Sequence, residues 1–359
     1  MMIPYVEVLN KYTREPFELI EPSEIWCELA YYGVGEFEVY ARATERALAS
    51  LKNGNYIRIP NKPHLWLIER VNPSYDAERG LMISASGHQA KQILGKRIIN
   101  AQTQLATDLQ AAVLNLVSKH AGAGANASRR IVGLSTTGTL SQAIGETQVS
   151  YKNLLTYTDE LLKTYESGAE LTIDGVNLVY RIYKGVDKTE DIIFSQTFDN
   201  LLSSDYSIDE SNYRNFALIG GQGEGAERIL DTVNLENKTG IDLCEMFVDA
   251  KDISSKYIDG NGQEQELDLT KASDLATYKS WLRERGRSTL AEYIRVETFD
   301  GTIDTTNTAY TFGRGGDYYL GDRVRVQDNR LGVYITPRIV KFTINQTTEE
   351  YTEKIEYGE

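Results

Sequence analysis

The sequence predicts an α+β fold that is rich in β-strands, and three observations lead to this class. Short apolar or alternating runs, separated by Gly, Asn and Pro, fill about the first hundred residues. In the middle of the chain the apolar residues recur at intervals of three and four positions, which is typical of amphipathic helices. Strand-like runs return from residue 295 onward. Many short strands at this spacing favour a barrel or a sandwich.

The first segment is expected to hold one short helix among its strands. The helix fits residues 44–51, where Ala47, Leu48 and Leu51 share one face and Gly54 follows the end. Around this helix the apolar runs predict strands at residues 4–8, 25–29, 36–40, 56–59, 65–71 and 81–85.

Two helices are expected in the middle of the chain. Apolar residues at helical spacing over 105–117 predict a helix that ends before Gly122. The small residues 121–128 indicate a loop. A second helix is expected to begin near Ser150, which suits an N-cap, and to stop at Gly168.

A hairpin and further strands follow these helices. Asp174 and Gly175 stand between alternating runs at 170–173 and 176–183, and such a pair is a strong hairpin signal. Strands are then expected from 192 to 248, interrupted by a polar loop near 205–211.

The last third predicts two more helices and a strand-rich tail. The helices are expected at residues 273–285, with Gly286 as the stop, and at 288–294. The tail is expected to form strands at 310–312, 323–326, 333–335, 339–344 and 351–357.

The net charge limits the partners of this protein. The sequence has 38 basic and 52 acidic residues, a formal net charge of −14. A groove that grips nucleic acid needs clustered Lys and Arg, so this class is disfavoured. A channel through which DNA slides is compatible with the charge, because a negative wall repels phosphate.

Targeting and redox signals are few. No run approaches the roughly 18 apolar residues of a membrane helix, so no stable membrane insertion is expected. The N-terminus lacks the basic and apolar regions of a secretory signal, so none is expected. Cys27 and Cys244 lie in strand-like apolar surroundings and are interpreted as reduced core residues of a protein made in a cytoplasm.

One segment resembles a nucleotide site. Residues 216–228 contain Gly220, Gly221, Gly223 and Gly225 after an apparent strand. The spacing is not Gly-x-Gly-x-x-Gly, no Lys-Ser/Thr follows, and the segment after it is too short and strand-like for the required helix. The sequence therefore favours a Gly-rich turn between two strands.

No catalytic, cofactor-binding or metal-ligating residue is assigned from the sequence. His64, His88 and His120 are scattered without ligand spacing. Residues 133–138 do not have the spacing of a nucleophile elbow. The acidic segment 259–268 lacks the Gly and Glu positions of an EF-hand and is interpreted as a solvated hairpin tip. A pair of catalytic carboxylates among the acidic residues stays open, because nothing singles one out.

The order of turn motifs along the chain is more specific. Trp26 and residues 32–40 come first, and seven further segments follow at 180–189, 193–201, 213–215, 220–228, 245–253, 282–286 and 317–324. Taken in order, these motifs resemble the siphophage tail-tip hub family, the hub module at the N-terminus of tail-associated lysins. The resemblance covers essentially the whole chain, and such hubs are similar to the central hub of contractile-tailed phages.

This resemblance implies an architecture of two tube-like antiparallel β-barrel domains with a mixed α/β connecting domain. The first barrel is expected at residues 1–102. The second is expected to combine 191–240 with 295–359, and the connecting domain to combine 103–190 with 241–294.

The resemblance also implies a function and partners. The protein is expected to be a homotrimeric, non-enzymatic hub at the virion tail tip, which joins the hexameric tail tube to the tip. Phage DNA would pass through its channel without specific binding, and the tube, the distal tail protein and other tip proteins would be its partners. Because the chain stops at Glu359, the cell-wall-cleaving activity of longer members is expected to be absent.

Two other functions stay open at this point. One is a tail enzyme that degrades peptidoglycan or another carbohydrate, although no active-site signature supports it. The other is a receptor-binding protein of the same tail tip, although internal helices and the ordered motifs are unlike the repetitive shafts of such proteins.

Overall fold

A computed structural model describes residues 3–259, 263–303 and 310–358. Strands account for 40% of the residues and helices for 19%, so the predicted α+β, β-rich class is confirmed.

A central antiparallel sheet of eleven strands organises the molecule. Seven strands come from the first ninety residues, namely β1 (Val6–Leu9), β2 (Pro16–Ile20), β3 (Glu24–Ala30), β4 (Glu36–Arg42), β5 (Tyr56–Arg58), β6 (Trp66–Asp76) and β7 (Gly80–Gln89). Four come from the second half, namely β14 (Leu201–Asp209), β20 (Val296–Ile303), β23 (Arg338–Gln346) and β24 (Tyr351–Gly358). Their spatial order is β14-β20-β24-β23-β3-β4-β7-β6-β5-β1-β2.

The two halves of the chain meet where β3 pairs with β23. The antiparallel register runs from Ala30 opposite Lys341 to Ile25 opposite Gln346. Strands from both predicted barrel segments therefore belong to one sheet. Over the described residues its order is linear, from β14 at one edge to β2 at the other, and does not close into a barrel.

The largest core lies on one face of this sheet. Alternation places Phe37, Val39 and Ala41 of β4 in this core. A small sheet of β13 (Ile193–Ser195), β21 (Arg325–Asp328) and β22 (Val333–Ile335) contributes apolar side chains to the same core. Burying these apolar side chains stabilises the fold by roughly 25 cal/mol per Å² of surface removed from water. The same core binds the N-terminal and C-terminal strands together.

A second core holds the α/β part. It contains the 3₁₀ turn Ala90–Lys96, α2 (Leu109–His120), α3 (Leu154–Thr164), the pair β8 (Thr103–Gln104) and β10 (Gln148–Val149), and the sheet β11-β12-β9 (Gly168–Asp174, Asn177–Tyr183 and Leu134–Gly138).

Both helices of this part begin later than the sequence predicts. Asp108 caps α2, and its carboxylate accepts a hydrogen bond from the Ala111 amide. Asn153, not Ser150, caps α3, because Asn153 Oδ1 accepts from the amides of Leu155 and Thr156 at 3.0 and 3.2 Å.

The predicted short helix and hairpin are confirmed, with small shifts. Helix α1 (Glu45–Ser50) begins after the Thr44 cap. Asp174 pairs with Asn177, so the hairpin turn consists of Gly175 and Val176, and Gly175 has a φ of 58°.

A third core lies in the segment between β14 and β20. There the sheet β16-β15-β17 (Leu230–Asn234, Phe216–Gly220 and Glu245–Asp249) packs on α4 (Ala272–Leu290), beside the hairpin of β18 (Lys256–Ile258) and β19 (Glu264–Glu266). The predicted acidic hairpin is confirmed where it is described, and its tip at 260–262 lies outside the described residues.

Two expectations for this region are wrong. The polar loop near 205–211 is largely strand, because β14 pairs with β20 along its length. The two helices at 273–285 and 288–294 are the single helix α4. Gly286 does not stop it. A Cβ there would lie 2.8 Å from Ile219 Cδ1, so glycine is needed for the close approach of α4 to β15.

Candidate functional site

Over β7, β4, β3, β23 and β24, the face of the central sheet that points away from the largest core is open. At the other end of the same face, Leu9, Tyr56 and Leu67 are buried in the second core. On β4, the buried Phe37 and Val39 alternate with Glu36, Glu38 and Tyr40, which reach solvent. The sequence showed the alternation but not which set is buried. The open face is defined here by Glu24, Trp26, Glu28, Glu36, Glu38, Tyr40, Arg42, Ser84, Ser86, His88, Lys341, Thr343, Asn345, Thr352, Lys354 and Glu356.

Side chains from both halves of the chain alternate across this open face. Trp26 of β3 stands opposite Glu38 of β4 on one side and Asn345 of β23 on the other. Glu38 in turn stands opposite Ser86, and Asn345 opposite Thr352. The side chains of this row are polar except for the Trp26 indole. The open face is therefore a hydrated surface and not an apolar patch of the kind that binds another protein.

Carboxylates dominate the charge of the open face. Five of its residues are glutamates and three are Lys or Arg. Lys341 is held between two of the glutamates, since its Nζ lies 3.5 Å from Glu28 Oε2 and 3.3 Å from Glu356 Oε2. Partial burial alone lowers the pKa of Lys341, but Glu28 and Glu356 outweigh it and raise the pKa. The ammonium at the middle of the face is thus neutralised in place.

A histidine at the rim of the open face is held by acids. His88 Nδ1 lies 2.6 Å from Glu69 Oε2, and its Nε2 lies 3.7 Å from Glu36 Oε1. These contacts place His88 beside two carboxylates rather than in a metal site. Among the residues that the structure describes, no three His, Cys, Asp or Glu side chains are grouped so as to hold a metal.

The two edge strands of the sheet have a second, unpaired side within the described residues. Edge strand β2 starts with Pro16 and exposes Phe17 and Leu19. Edge strand β14 exposes Leu202 and Ile208. Unpaired N–H and C=O groups beside exposed apolar side chains can accept a neighbouring strand.

The Gly-rich segment is the turn between two strands that the sequence predicts. It links β15 to β16, and the Arg228 guanidinium fills it: Nη2 donates to the Gly220 carbonyl at 2.8 Å and Nε to the Gly221 carbonyl at 3.1 Å. A Cβ at Gly220 would lie 2.5 Å from the guanidinium carbon. The turn thus presents carbonyl oxygens to a cation of the chain itself, not N–H groups to a phosphate.

Sequence reasoning missed the surroundings of two histidines. His64 is buried against Tyr319, and His120 is buried with neither ring nitrogen hydrogen bonded. Burial, with Arg314 and Lys62 nearby, lowers the pKa of His64 to about 3. Burial, with Lys119 and Arg129 nearby, lowers the pKa of His120 to about 4. Both rings are therefore neutral near pH 7.

Both cysteines are free thiols. Cys27 is buried on β3, and burial raises the pKa of its thiol. Cys244 is half-buried. A buried protonated thiol is a weak nucleophile, so Cys27 is a core residue, as the sequence suggests.

The comparisons with known proteins agree with this fold. Residues 6–359 match the family described as Siphovirus ReqiPepy6 Gp37-like protein. The chain belongs to this family. No curated protein matches the sequence.

Solved phage tail proteins share the architecture. The chain is similar to the 43 kDa tail protein of prophage MuSo2 from Shewanella oneidensis, with a TM-score of 0.59, 14% identity and 98% of both chains covered. It is similar to the tail protein from Neisseria meningitidis MC58, with a TM-score of 0.58, 12% identity and coverage of 99% of this chain and 96% of that one. Prophage tail protein gp18 from Listeria monocytogenes EGD-e gives a TM-score of 0.55 and 12% identity, over 99% and 94% of the two chains.

These findings confirm the resemblance drawn from the turn motifs. This member of the Gp37-like family has the fold of phage tail proteins over nearly its whole length. Within the described residues, none of its helices has the length and apolar character needed to cross a bilayer.

Proposed function

We propose that this Gp37-like protein is a structural hub of the phage tail tip, which joins the hexameric tail tube to the tip and forms part of the channel for DNA ejection. The observation that carries the proposal is the central sheet, in which strands from both halves of the chain share one polar open face. Each half of the chain contributes one group of strands to this sheet, and three copies would contribute six such groups, which matches the six subunits of a hexameric tube.

The charge of the open face suits the wall of such a channel. Glutamates outnumber Lys and Arg on it, and Lys341 is neutralised by Glu28 and Glu356. DNA that met a dense row of Lys and Arg would be held through release of its counterions. A hydrated, weakly acidic wall lets the double helix slide.

The edge strands suit assembly. In a homotrimer the unpaired sides of β2 and β14 would face neighbouring copies, and their exposed apolar side chains would be buried in those contacts. The tail tube, the distal tail protein and other tip proteins are the expected further partners, and the virion tail tip is the expected location.

Electron cryomicroscopy of assembled tails tests this proposal. Three copies in a ring at the tip, with Trp26 and Glu38 facing the lumen, are expected. Six copies, one copy, or an open face packed against another protein would contradict it. The non-enzymatic part is tested with purified cell wall, on which no release of soluble fragments is expected.

A further inference from the structure

The outer half of β6 is a further free edge of the central sheet. Strand β5 pairs only with Trp66 and Leu67, and the residues just before β5 contact Ile68 through two backbone hydrogen bonds of 2.7 and 2.9 Å. A bulge between Ile68 and Arg70 then bends the strand. From Arg70 to Tyr75 the outer side of β6 pairs with no strand among the described residues. The β6–β7 hairpin therefore extends past β5 with an unpaired edge about 20 Å long.

The two sides of this edge differ in polarity. Arg70, Asn72 and Ser74 lie on the side of the open face, as their cross-strand partners on β7 show. On the core side Tyr75 stands opposite Leu81, and the two residues are 74% and 61% exposed. A polar row thus lies on one side of the edge and an exposed apolar pair on the other.

Edge strand β14 has the same distribution. Ser203, Asp205 and Ser207 lie on the side of the open face, and all three are exposed. Tyr206 packs against the largest core, and Ile208, which follows on that side, is 47% exposed. If the edges of β6 and β14 met, their polar side chains would continue the open face and their apolar side chains would pack together on the core side.

The charges of the two edges are complementary. Arg70 and Asp205 are both exposed, and within the described ranges neither forms a salt bridge. Asp209 lies on the same side of β14 as Asp205. An arginine opposite Ser207 would lie between the two aspartates, at a diagonal distance of about 7–8 Å that a long side chain spans. Pro73 removes one N–H donor from the β6 edge, which disfavours pairing with an arbitrary strand and leaves recognition to the side chains.

The strand directions favour β6 over β2 as the neighbour of β14. Seven antiparallel pairings in succession lead from β14 to β6, so these two strands run in opposite directions. A cyclic axis along the strands preserves the directions, so β6 of one copy would meet β14 of the next in antiparallel orientation. Three further antiparallel pairings make β2 run parallel to β14. A contact between β2 and β14 would also place the exposed Leu19 on the same side as Asp205.

We infer that β6 of one copy pairs with β14 of the next copy as neighbouring antiparallel strands. The open faces of successive copies then form one continuous surface. This inference rests on the proposed function only for the cyclic arrangement of the copies. The partner of each edge is a second copy of this chain, because each edge matches the polarity of the other and carries the opposite charge. Closing the ring in this way leaves neither edge unpaired.

Cysteine cross-linking of the full-length chain tests the pairing. In the register that sets Arg70 between the two aspartates, Ser74 stands opposite Ser203, and both serines are exposed. Ser74→Cys and Ser203→Cys are combined in a Cys244→Ser background, in which the remaining native thiol, Cys27, is buried. A short bismaleimide reagent is added to the purified chain over a series of concentrations, and to assembled tails.

The double variant is expected to form covalent dimers and closed rings at least about tenfold faster than either single variant, because the contact joins two different edges. Leu19→Cys combined with Ser203→Cys is the control for β2 and should not cross-link. Arg70→Asp in the double variant should slow cross-linking several-fold, because it removes the charge that attracts β14. The matched control is Arg46→Asp, which removes an 83% exposed arginine that contacts β2 instead, and it should leave the rate unchanged.

Four results would overturn the inference. They are equal cross-linking in the single and double variants, an equal loss with Arg46→Asp, faster cross-linking through Leu19→Cys, and no cross-links in either the purified chain or the assembled tails. Circular dichroism spectra like that of wild type establish that the variants fold.

Failure of the proposed function would look different. Closed covalent rings with a number of chains other than three would support the strand pairing and contradict the trimeric hub. Three copies in images of the tail tip, with β6 and β14 of neighbouring copies apart, would support the hub and contradict the pairing.

Discussion

Tyr319 donates a hydrogen bond of 2.7 Å to Glu170 Oε2, although the two residues are 149 positions apart in the sequence. His64 Nε2 lies 2.5 Å from the same phenolic oxygen. Because the hydroxyl has one proton, which goes to Glu170, His64 is the donor to Tyr319 and carries its proton on Nε2. All three residues are buried. The phenol therefore links the loop before β21 to β11 and to the segment before β6.

Removing this hydroxyl is expected to destabilise the protein. Tyr319→Phe leaves a carboxylate oxygen and an imidazole N–H buried without their shared partner, which should lower the free energy of unfolding by about 1–3 kcal/mol. Denaturant unfolding followed by circular dichroism measures the difference. Tyr75→Phe is the control, since Tyr75 is 74% exposed, and it should change stability little. Equal stability of both variants would show that the buried linkage contributes nothing.

His120 should make the protein sensitive to acid. Its pKa is lowered from 6.5 to about 4 in the folded chain. The unfolded chain thus binds more protons between these values, and stability falls as the pH falls from 6.5 to about 4. His120→Leu is expected to reduce this loss by about 1–3 kcal/mol, measured by unfolding at pH 7 and pH 4.5.

Other groups titrate in the same range, so the variant must be compared with wild type at each pH. Burial raises the pKa of Asp159 to about 6, and this acts in the opposite direction, because the folded state takes up that proton first. Tyr75→Phe is the control for the His120 variant, since Tyr75 is 74% exposed and the change removes no histidine or carboxylate. Parallel pH profiles for wild type and His120→Leu would refute the prediction.

Gly286→Ala should destabilise α4 against its sheet. Alanine favours a helix over glycine by about 1 kcal/mol. The added Cβ, however, would lie 2.8 Å from Ile219 Cδ1 and 3.3 Å from Val233 Cγ2, and forcing atoms into such a core costs about 1–3 kcal/mol. A net loss in thermal unfolding is expected. Gly315→Ala, where no heavy atom lies within 4 Å of the new Cβ, should be neutral.

The charge of the open face should decide whether the protein holds DNA. Wild type is expected to show no micromolar, steeply salt-dependent binding of double-stranded DNA at low salt. Replacing Glu24, Glu28 and Glu38 by Lys should create such binding, because phosphate neutralisation releases counterions. Filter binding at several salt concentrations measures it. The control replaces the exposed Glu236, Glu264 and Glu266 by Lys, which gives the same net charge away from the open face. Similar binding by both triple variants would mean that net charge alone matters.

The sequence predicted most strands but misplaced several helix ends. Ser and Asn are both common N-cap residues, so the sequence allowed a start at Ser150 or at Asn153. Only the hydrogen bonds from the Leu155 and Thr156 amides to Asn153 Oδ1 show that Asn153 is the cap of α3. Gly286 suggested a stop because glycine often ends helices, whereas here it is required by contact with Ile219, a residue 67 positions earlier. Strand β14 looked like a loop because its Ser and Asp side chains are polar, and its pairing with the distant β20 was not visible.

The candidate sites depended even more on tertiary structure. Alternation along β4 gave two faces, but only the pairing of β3 with β23 shows that the open face combines both halves of the chain. In the sequence, Glu284 cannot be told apart from other charged residues of a helix, because the residues next to it in the chain do not show that it lines a pocket together with α3 and β17. The sequence shows no catalytic signature, and the expected absence of enzymatic activity stays a prediction.

The pairing of β3 with β23 also constrains how a nascent chain matures. Ile3 and Gln346 exchange two hydrogen bonds, at 2.5 and 3.0 Å, across 343 positions. Contacts this distant form slowly, and the ribosome delivers the first partner long before the last. Until β23 emerges, the apolar side of β3, with Ile25, Cys27 and Leu29, has no complete core and one edge without a neighbour. Prematurely terminated chains would therefore expose an unpaired strand edge to chaperones and to one another. Only full-length chains would bury this edge and avoid aggregation.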